Sequence, residues 1–333
     1  MRSLHRTLFS GALAGALLVS VVACSSSSAS GSSGPDTIRI ETESLGSIAL
    51  STPTSDAGSE SAGSSAGSGS AGSEAGESTS SSGASASSSG QQPKLITPGT
   101  LMVASMSDSK PNAYLDNGQW KGFDVDLITA IAKDAGLTVQ IRAIDFSAMF
   151  PAIESGRFDI GAASSAGTVE RQKIVGFSQG YLIGYLGVLT KKDSGITKDA
   201  ASTAGKRIGL LQGSIQEGYA KKYMPKATVV TFPDNNSGVA ALRSGRIDGY
   251  FLDYVVGAQY IAQDNSLHQP LSFPAFDLPA AFPIAKSNQG LRDLVNAGIE
   301  KQVKSGNYLK LYKQYFPGIP VPAQLPPYPL PKG

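Results

Sequence analysis

A ten-residue pattern that occurs twice constrains the fold of this chain more than any other feature of the sequence. Residues 152–161 read Ala-Ile-Glu-Ser-Gly-Arg-Phe-Asp-Ile-Gly, and residues 241–250 read Ala-Leu-Arg-Ser-Gly-Arg-Ile-Asp-Gly-Tyr. In each copy the pattern predicts a helix that stops at a glycine, where a positive φ costs little, and then a buried strand. The repeat predicts two lobes of like topology with a cleft between them, where small-molecule sites concentrate. The alternative is a common helix-to-strand turn that occurs twice by chance.

The surroundings of the repeat favour an α/β fold. Short apolar runs alternate with helical patterns, as in a strand at 100–105, a helix at 123–135 and a strand at 138–144. A further strand is predicted at 247–252. Residues 98–325 have an ordinary globular composition, and a segment of this length fits two lobes of about 100 residues each.

The N-terminus has the features of a targeting signal. Residues 1–6 are basic, and the apolar run at 8–22 is too short for a membrane-spanning helix, which needs about 20 residues, but suits a signal sequence. The run ends at Ala23-Cys24 and resembles the bacterial lipoprotein signal, in which the cysteine is acylated and becomes the new N-terminus. The sequence therefore predicts a signal peptide at 1–23 and lipidation of Cys24. An incidental free cysteine is the alternative.

Residues 24–97 form a second compositional zone, rich in serine, glycine and alanine. Such a segment buries too little apolar surface to offset its ordering entropy, so we expect a disordered tether. Residues 37–42 alternate as a strand would, which we interpret as a chance fluctuation. The tether and the lipid predict a protein anchored to the outside of the cell membrane.

Charge and composition exclude several classes of function. The chain has 28 basic and 26 acidic residues, and it lacks the basic stripe of a nucleic-acid-binding protein. The two histidines, His5 and His268, form no Cys/His cluster, so neither a zinc site nor any other cofactor is expected. The glycines near residue 213 do not make a nucleotide-binding fingerprint.

Several motifs in residues 98–318 together resemble one family, the polar amino-acid-binding (family 3) extracytoplasmic solute-binding proteins of ABC importers. The motifs are Gly-Phe-Asp-Val-Asp-Leu at 122–127, the segment 145–159, Thr-Val-Glu-Arg at 168–171, Phe-Ser-Gln-Gly-Tyr at 177–181, and the segments 205–214 and 244–253. The resemblance implies a two-lobed periplasmic-binding-protein fold of type II, with the ligand in the cleft. It implies lobe one at 98–183 and 284–318, lobe two at 187–279, and hinge strands near 183–188 and 279–284. The composition of residues 319–333 adds a proline-rich tail.

The resemblance also implies a set of ligand-binding residues. Arg171 matches the arginine that grips the ligand carboxylate, a task for which the guanidinium fork is suited. Asp253, at the end of the strand predicted at 247–252, matches the acceptor of the ligand ammonium group, which would balance a buried charge. The alternatives are an exposed arginine that pairs with Glu170 or Asp193, and a structural salt bridge for the aspartate.

Four further residues belong to the implied site. Ser214 and Ile215 begin a helix, where unpaired N–H groups attract a carboxylate, and Ser214 with Glu217 has the form of a capping box. Phe146 matches an aromatic residue that stacks on the ligand, although core packing would also explain it. Ser164 lies in the segment of the ligand loop.

Departures from the family pattern make the expected pocket less polar. Met106 and Ser109 stand where relatives offer an acidic and an aromatic residue, and Asp108 lies two positions late. Ala166 replaces a usual threonine or serine, and two other positions are apolar where some relatives have polar side chains, Leu211 and Leu252. We therefore expect an α-amino acid or close analogue with a neutral, partly apolar side chain.

The resemblance favours solute capture for an ABC importer by a monomeric, lipid-anchored receptor that presents its closed form to the membrane permease. Two alternatives stay open. Dehydratase enzymes resemble this family, but such an enzyme needs a general acid or base in the cleft, for which Asp253 and Asp108 are the candidates. The third possibility is a lipoprotein that senses its ligand and feeds no transporter.

Overall fold

The computed structural model of the protein describes residues 91–333. The predicted signal peptide, Cys24, the strand-like residues 37–42 and most of the predicted tether lie outside the described residues. Within the described part, no helix has both the length and the apolar character needed to cross a membrane.

Strands and helices alternate along the described chain, as the sequence pattern predicted. The strands are β1 (Thr100–Ser105), β2 (Asp108–Ser109), β3 (Ala113–Asp116), β4 (Gln119–Lys121), β5 (Thr138–Ala143), β6 (Ile160–Ala162), β7 (Gly176–Phe177), β8 (Tyr185–Lys191), β9 (Arg207–Leu211), β10 (Thr228–Phe232), β11 (Gly249–Asp253), β12 (Leu267–Pro274) and β13 (Pro283–Ile284). The helices are α1 (Phe123–Asp134), α2 (Phe146–Glu154), α3 (Val169–Gln172), α4 (Ile215–Tyr223), α5 (Asn235–Arg243), α6 (Tyr254–Gln263), α7 (Gln289–Lys304) and α8 (Asn307–Tyr315). A short 3₁₀ helix, Ala200–Thr203, precedes β9.

The strands form two five-stranded sheets of matching topology. The order is β5-β1-β6-β13-β7 in one sheet and β10-β9-β11-β8-β12 in the other. In each sheet the first three strands are parallel, and the fourth runs antiparallel to the third. Each sheet, with its helices, has its own apolar core, so the chain builds two lobes.

The repeat in the sequence marks the same corner of both lobes. The glycine that follows the helix has a positive φ in each copy, 78° at Gly156 and 74° at Gly245. The aspartate three residues later then accepts a hydrogen bond from the backbone of the neighbouring strand: Asp159 Oδ2 from Met102 N–H (2.8 Å) and Asp248 Oδ2 from Arg207 N–H (2.7 Å). The repeat is therefore structural, and the prediction of two lobes of like topology is confirmed.

The chain passes twice between the lobes, and the two passages lie side by side. Ala280 N–H donates to Leu182 O (2.8 Å), and Ala275 N–H donates to Gly184 O (3.0 Å). Two adjacent, extended segments of this kind are suited to act as a hinge, because a few backbone torsions at their ends can absorb a rotation of one lobe against the other.

The folded part begins earlier than the sequence predicted. The tether was expected to reach residue 97, but Lys94 N–H donates to Asn288 Oδ1 (3.1 Å) and Ile96 N–H donates to Asp159 Oδ1 (2.9 Å). These bonds tie the segment to the first lobe. The prediction was therefore wrong for residues 94–97, because composition does not reveal hydrogen bonds to residues far away in the sequence.

Candidate ligand-binding site

A cavity lies between the lobes at the carboxyl ends of β1, β6, β9 and β11. In open α/β sheets, ligands bind beyond these ends of the strands, because the loops that follow can converge there. The cavity encloses about 480 Å³ of space that protein atoms do not fill, part of it open to solvent. Its position between the two lobes, rather than its volume, is what favours a small-molecule site.

The structure brings all nine predicted ligand-binding residues to this cavity. The first lobe contributes Met106, Ser109, Phe146, Ser164, Ala166 and Arg171, and the second contributes Ser214, Ile215 and Asp253. The other lining residues are Ala163, Leu211, Gln216, Asn235, Phe251, Leu252 and Val256. Their roles in binding stay predictions, but their positions are consistent with one site.

Arg171 lies in α3 and reaches from the first lobe to the second. Its Nη1 donates to Ala166 O (2.9 Å) in its own lobe, and its Nη2 donates to Gly213 O (2.9 Å) in the other. The guanidinium carbon lies 5.1 Å and 4.8 Å from the ring centroids of Phe146 and Phe150, which hold it by cation–π contacts. A guanidinium has five N–H groups, so donors remain for a ligand carboxylate.

Arg171 is 8 % exposed, so the alternative of an exposed arginine that pairs with Glu170 or Asp193 is wrong. Burial lowers the pKa of Arg171 to about 10, with Asp253 opposing the shift, and the group stays charged at neutral pH. Within residues 91–333 no carboxylate forms a salt bridge with Arg171. A buried cation of this kind is costly, and an anionic ligand would offset the cost.

Asp253 ends β11 and faces the cavity from the second lobe. Its Oδ1 accepts from Gln216 Nε2 (3.1 Å), and Asn112 Nδ2 of the first lobe lies 3.5 Å from its Oδ2. Burial raises the pKa of Asp253 to about 6, while Gln216 and Arg171 oppose the shift. In the described part of the chain Asp253 has no salt bridge, so the alternative of a structural ion pair is wrong.

The start of α4 presents polar groups to the cavity, but the predicted capping box does not form as expected. Ser214 is the N-cap residue, yet its hydroxyl accepts no capping hydrogen bond, and Glu217 accepts from Gly213 N–H (2.6 Å) rather than from Ser214. Ser214 Oγ is buried and has no hydrogen-bond partner among the described residues. This hydroxyl and the N–H groups of the first helical turn are suited to a ligand carboxylate.

Asp124, a residue without a predicted role, fixes the segment 163–168 between β6 and α3, which we call the ligand loop. This buried carboxyl group accepts from both Ser164 N–H (2.6 Å) and Ser164 Oγ (2.9 Å). Ser164 has a positive φ of 45°, an uncommon conformation for a residue other than glycine, and these two bonds stabilise it. Both donors of Ser164 are thus engaged within the protein. Burial raises the pKa of Asp124 to about 7, with the hydrogen bonds from Ser164 opposing the shift.

Asp108, which lies two positions after the place where relatives have an acidic residue, connects the lobes. Its carboxylate accepts from Asn236 N–H (2.9 Å) in the first turn of α5, and its backbone carbonyl accepts from Asn235 Nδ2 (3.4 Å). Burial raises the pKa of Asp108, and the N–H of Asn236 opposes the shift. These bonds join the two lobes and would break if the lobes separated, so we expect Asp108 to act as a latch on the closed state.

Replacing Asp108 with alanine should therefore weaken ligand binding without removing a ligand contact. A hydrogen bond of this kind contributes about 1 kcal/mol, so the closed state should lose population and the dissociation constant should rise roughly fivefold. Titration calorimetry would measure the change. Asp116→Ala is the matched control, because Asp116 is an exposed partner of Lys121 in the same small sheet. Equal affinities for the Asp108→Ala variant and the unaltered protein would contradict the latch.

The remaining lining residues make the cavity largely apolar away from Arg171 and Asp253. Met106, Phe146 and Ala166 are buried there, and Leu211, Leu252 and Val256 lie on the facing lobe. Asn235 and Gln216 add neutral amides that the sequence analysis did not select. Among residues 91–333 no three His, Cys, Asp or Glu side chains are grouped as a metal site would require.

Comparison with known proteins now gives the family. Residues 101–318 match the family model of the bacterial extracellular solute-binding proteins, family 3. The chain belongs to this family. The match spans both lobes and the residues of the cavity described above.

Two curated relatives of this solute-binding protein are similar over the same region. The arginine-binding extracellular protein ArtP of Bacillus subtilis is 30 % identical over 223 residues, which are 66 % of this chain and 86 % of the relative. A probable histidine-binding protein of Campylobacter jejuni is 30 % identical over 220 residues, 65 % of this chain and 84 % of the relative. The predicted resemblance to amino-acid-binding proteins is confirmed.

Solved structures confirm the predicted two-lobed α/β fold class. An ancestral arginine-binding protein bound to glutamine superposes on this solute-binding protein with a TM-score of 0.63 at 31 % identity, covering 66 % of this chain and 99 % of that one. An ancestral amino-acid-binding protein described as a precursor of cyclohexadienyl dehydratase gives a TM-score of 0.59 at 33 % identity, covering 66 % and 95 %.

Proposed function

We propose that this protein captures a neutral α-amino acid outside the cell and delivers it to an ABC importer. The observation that carries the proposal is the placement of one cation and one carboxylate on opposite lobes of the same cavity, Arg171 and Asp253. A zwitterion can bind both at once only when the lobes are closed. The ligand would therefore shift the protein toward the closed state, which is the form that a membrane permease could recognise.

The charge balance of the cavity supports a neutral ligand side chain. Once Arg171 binds the carboxylate and Asp253 binds the ammonium group, the lining residues offer no further charge. Asp108 lies outside the lining of the cavity, and its carboxylate accepts a hydrogen bond from the N–H of Asn236 in the second lobe. A cationic or anionic side chain would thus be desolvated without a partner, which is costly. Arginine and histidine, named for two of the relatives, are accordingly not the ligands proposed here.

The proposal extends to the location and assembly of the protein. The basic N-terminus, the apolar run and Ala23-Cys24 support a signal peptide at 1–23 and an acylated Cys24 that anchors the protein to the outer face of the cell membrane. The serine- and glycine-rich segment that follows would serve as a tether. The receptor would act as a monomer, with a permease of the ABC class as its partner.

A screen by thermal unfolding tests the proposed ligand class. The full chain in mild detergent is heated with each of the common L-amino acids, while the fluorescence of Trp120 reports unfolding. A ligand at one hundred times its dissociation constant stabilises the folded state by about 2.7 kcal/mol, which is several degrees in midpoint. We expect the largest shifts from neutral amino acids. Larger shifts with arginine or lysine would contradict the neutral pocket, and no shift with any amino acid would contradict the ligand class.

An enzyme on the same scaffold is the second candidate, because one similar structure is described as a precursor of a dehydratase. Asp253 would be its general acid, since burial raises its pKa to about 6. Incubation with prephenate separates the two candidates: loss of prephenate that Asp253→Asn abolishes would favour the enzyme, whereas an unchanged prephenate signal favours binding alone.

A further inference from the structure

The C-terminal tail, residues 319–333, lies beyond the family match, which ends at residue 318. The structure nevertheless packs this tail against the first lobe along its length. Tyr312 donates its hydroxyl to Pro320 O (3.1 Å), and Ile319 and Leu325 pack against the core formed by α1, α7 and α8. These contacts hold the first part of the tail on the first lobe, beside α8.

The middle of the tail pairs with the backbone next to the hinge. Tyr328 N–H donates to Gly180 O (2.8 Å), and Gly180 N–H donates to Tyr328 O (2.9 Å). Tyr328 is 6 % exposed, and its hydroxyl donates to Gln324 O (2.9 Å). This two-bond bridge fixes the position of the residues that follow.

Leu330 then packs against the apolar residues that surround the Arg171 side chain. It contacts the apolar cluster that contains Phe146 and Phe150, the two rings beside the Arg171 guanidinium. It also lies so close to Gly167 that a Cβ at Gly167 would be 2.8 Å from Leu330 Cδ1. The sequence thus provides a glycine where the tail approaches the backbone of the ligand loop.

Gln172 joins the tail to α3 directly. Its Nε2 donates both to Gly167 O (2.9 Å) and to Pro331 O (2.8 Å). Helix α3 has four residues, and so short a helix has little stability of its own. Its geometry therefore depends on contacts of this kind.

We propose that residues 328–331 form a brace that positions the segment 166–172, and with it the Arg171 guanidinium, for the ligand carboxylate. The brace is a positioning element, because the tail residues do not line the cavity. The proposal rests on the proposed function for the role of Arg171 in binding. The packing of the tail on 166–172 is independent of that function and can be tested separately.

Three variants test the brace: a truncation after Gln324, and the full-length substitutions Leu330→Ala and the conservative Leu330→Met. Val321→Ala is the matched control, since Val321 is an apolar tail residue that is 38 % exposed. Hydrogen exchange followed by mass spectrometry reports on the segment 166–172 without any ligand. Titration calorimetry with L-glutamine, a neutral amino acid, reports on affinity at a temperature well below unfolding.

We expect the truncation to speed exchange at 166–172 about tenfold or more while β9 in the second lobe is unchanged, because local opening follows the loss of local contacts. Affinity for L-glutamine should fall about tenfold in the truncation and less in Leu330→Ala, since Arg171 would sample geometries that cannot bind. Leu330→Met should retain both properties, and Val321→Ala should match the unaltered protein.

The outcomes separate this proposal from the proposed function. Unchanged exchange at 166–172 in both the truncation and Leu330→Ala overturns the brace. Faster exchange with unchanged L-glutamine affinity shows a role in stability only and overturns positioning. If the unaltered protein does not bind L-glutamine, the thermal screen decides the proposed function, and the exchange measurement still decides whether the tail holds 166–172.

Discussion

Replacing Arg171 with alanine is expected to weaken ligand binding severely while the protein stays folded. The substitution removes the one cation that lines the cavity and leaves the ligand carboxylate buried without a partner. Truncating one member of a buried, hydrogen-bonded charge pair costs about 2–5 kcal/mol, so the dissociation constant should rise by a factor of roughly 30 to several thousand. Titration calorimetry with the amino acid that gives the largest thermal shift would measure this loss.

Two further variants separate charge from shape at this position. Arg171→Lys keeps the positive charge but loses the planar fork, so we expect it to remain strongly impaired. Arg207→Ala is the matched control in the second lobe, because Arg207 pairs with Asp248 at the surface and should leave affinity unchanged. If Arg171→Ala binds as well as the unaltered protein, the assignment of the carboxylate site is wrong.

Replacing Asp253 with asparagine is expected to have the second largest effect on binding. Asparagine has the same shape and can still accept the hydrogen bond from Gln216, so the fold should tolerate the change. The ligand ammonium group, however, loses its counter-charge, and we expect an affinity loss of about 30-fold or more. Asp264→Asn is the control, since Asp264 forms an exposed pair with Arg243 in the same lobe. Wild-type affinity in Asp253→Asn would contradict its role.

The pH dependence of ligand binding gives a second, independent test of the role of Asp253. Burial raises its pKa to about 6, and an ammonium ligand binds the ionised form, so affinity should fall about tenfold between pH 7 and pH 5. The same raised pKa favours folding at low pH, and this contribution is lost as pH rises from about 4 to about 6. Loss of binding at pH 5 would therefore not reflect unfolding caused by this group.

Two ionisable groups interact with Asp253, and their contributions to the pH dependence of binding must be distinguished from that of Asp253. Arg171 keeps its charge over this range, since its pKa is about 10. Asp124 has a pKa of about 7 and titrates over the same range, so the experiment includes Asp124→Asn. We expect the pH dependence to persist in Asp124→Asn and to disappear in Asp253→Asn. The opposite pattern would assign the titration to Asp124.

Much of the fold follows from local patterns in the sequence. The predicted strand at 100–105 coincides with β1, and the helix predicted at 123–135 is α1 with its C-cap. The strand predicted at 247–252 instead runs from Gly249 to Asp253. The two ends of this strand shift by one or two residues, because strand ends depend on pairing with neighbouring strands and the local pattern does not report that pairing.

The family resemblance predicted which residues line the cavity, but it did not predict the hydrogen bonds that hold these residues in place. The sequence placed Ser164 near the ligand, but Asp124 engages both of its donors. The sequence placed Met106 where relatives have an acidic residue and Asp108 two positions later, and in the structure Asp108 binds the backbone of the opposite lobe. In both cases a short-range pattern identified the right region, while the partner lies 40 or more residues away in the sequence.

The sequence by itself determined the two-lobed α/β organisation, because the repeat at 152–161 and 241–250 sets the same helix-to-strand corner in each lobe. It also determined the two charges that the cavity offers to a ligand, because both Arg171 and Asp253 were predicted from the sequence. Only the tertiary structure decided how those charges are held: Arg171 between two aromatic rings, Ser164 on Asp124, and the tail on Gln172. The physical reason is that hydrogen bonds and packing between distant segments depend on how the whole chain closes, and a local pattern contains no information about those distances.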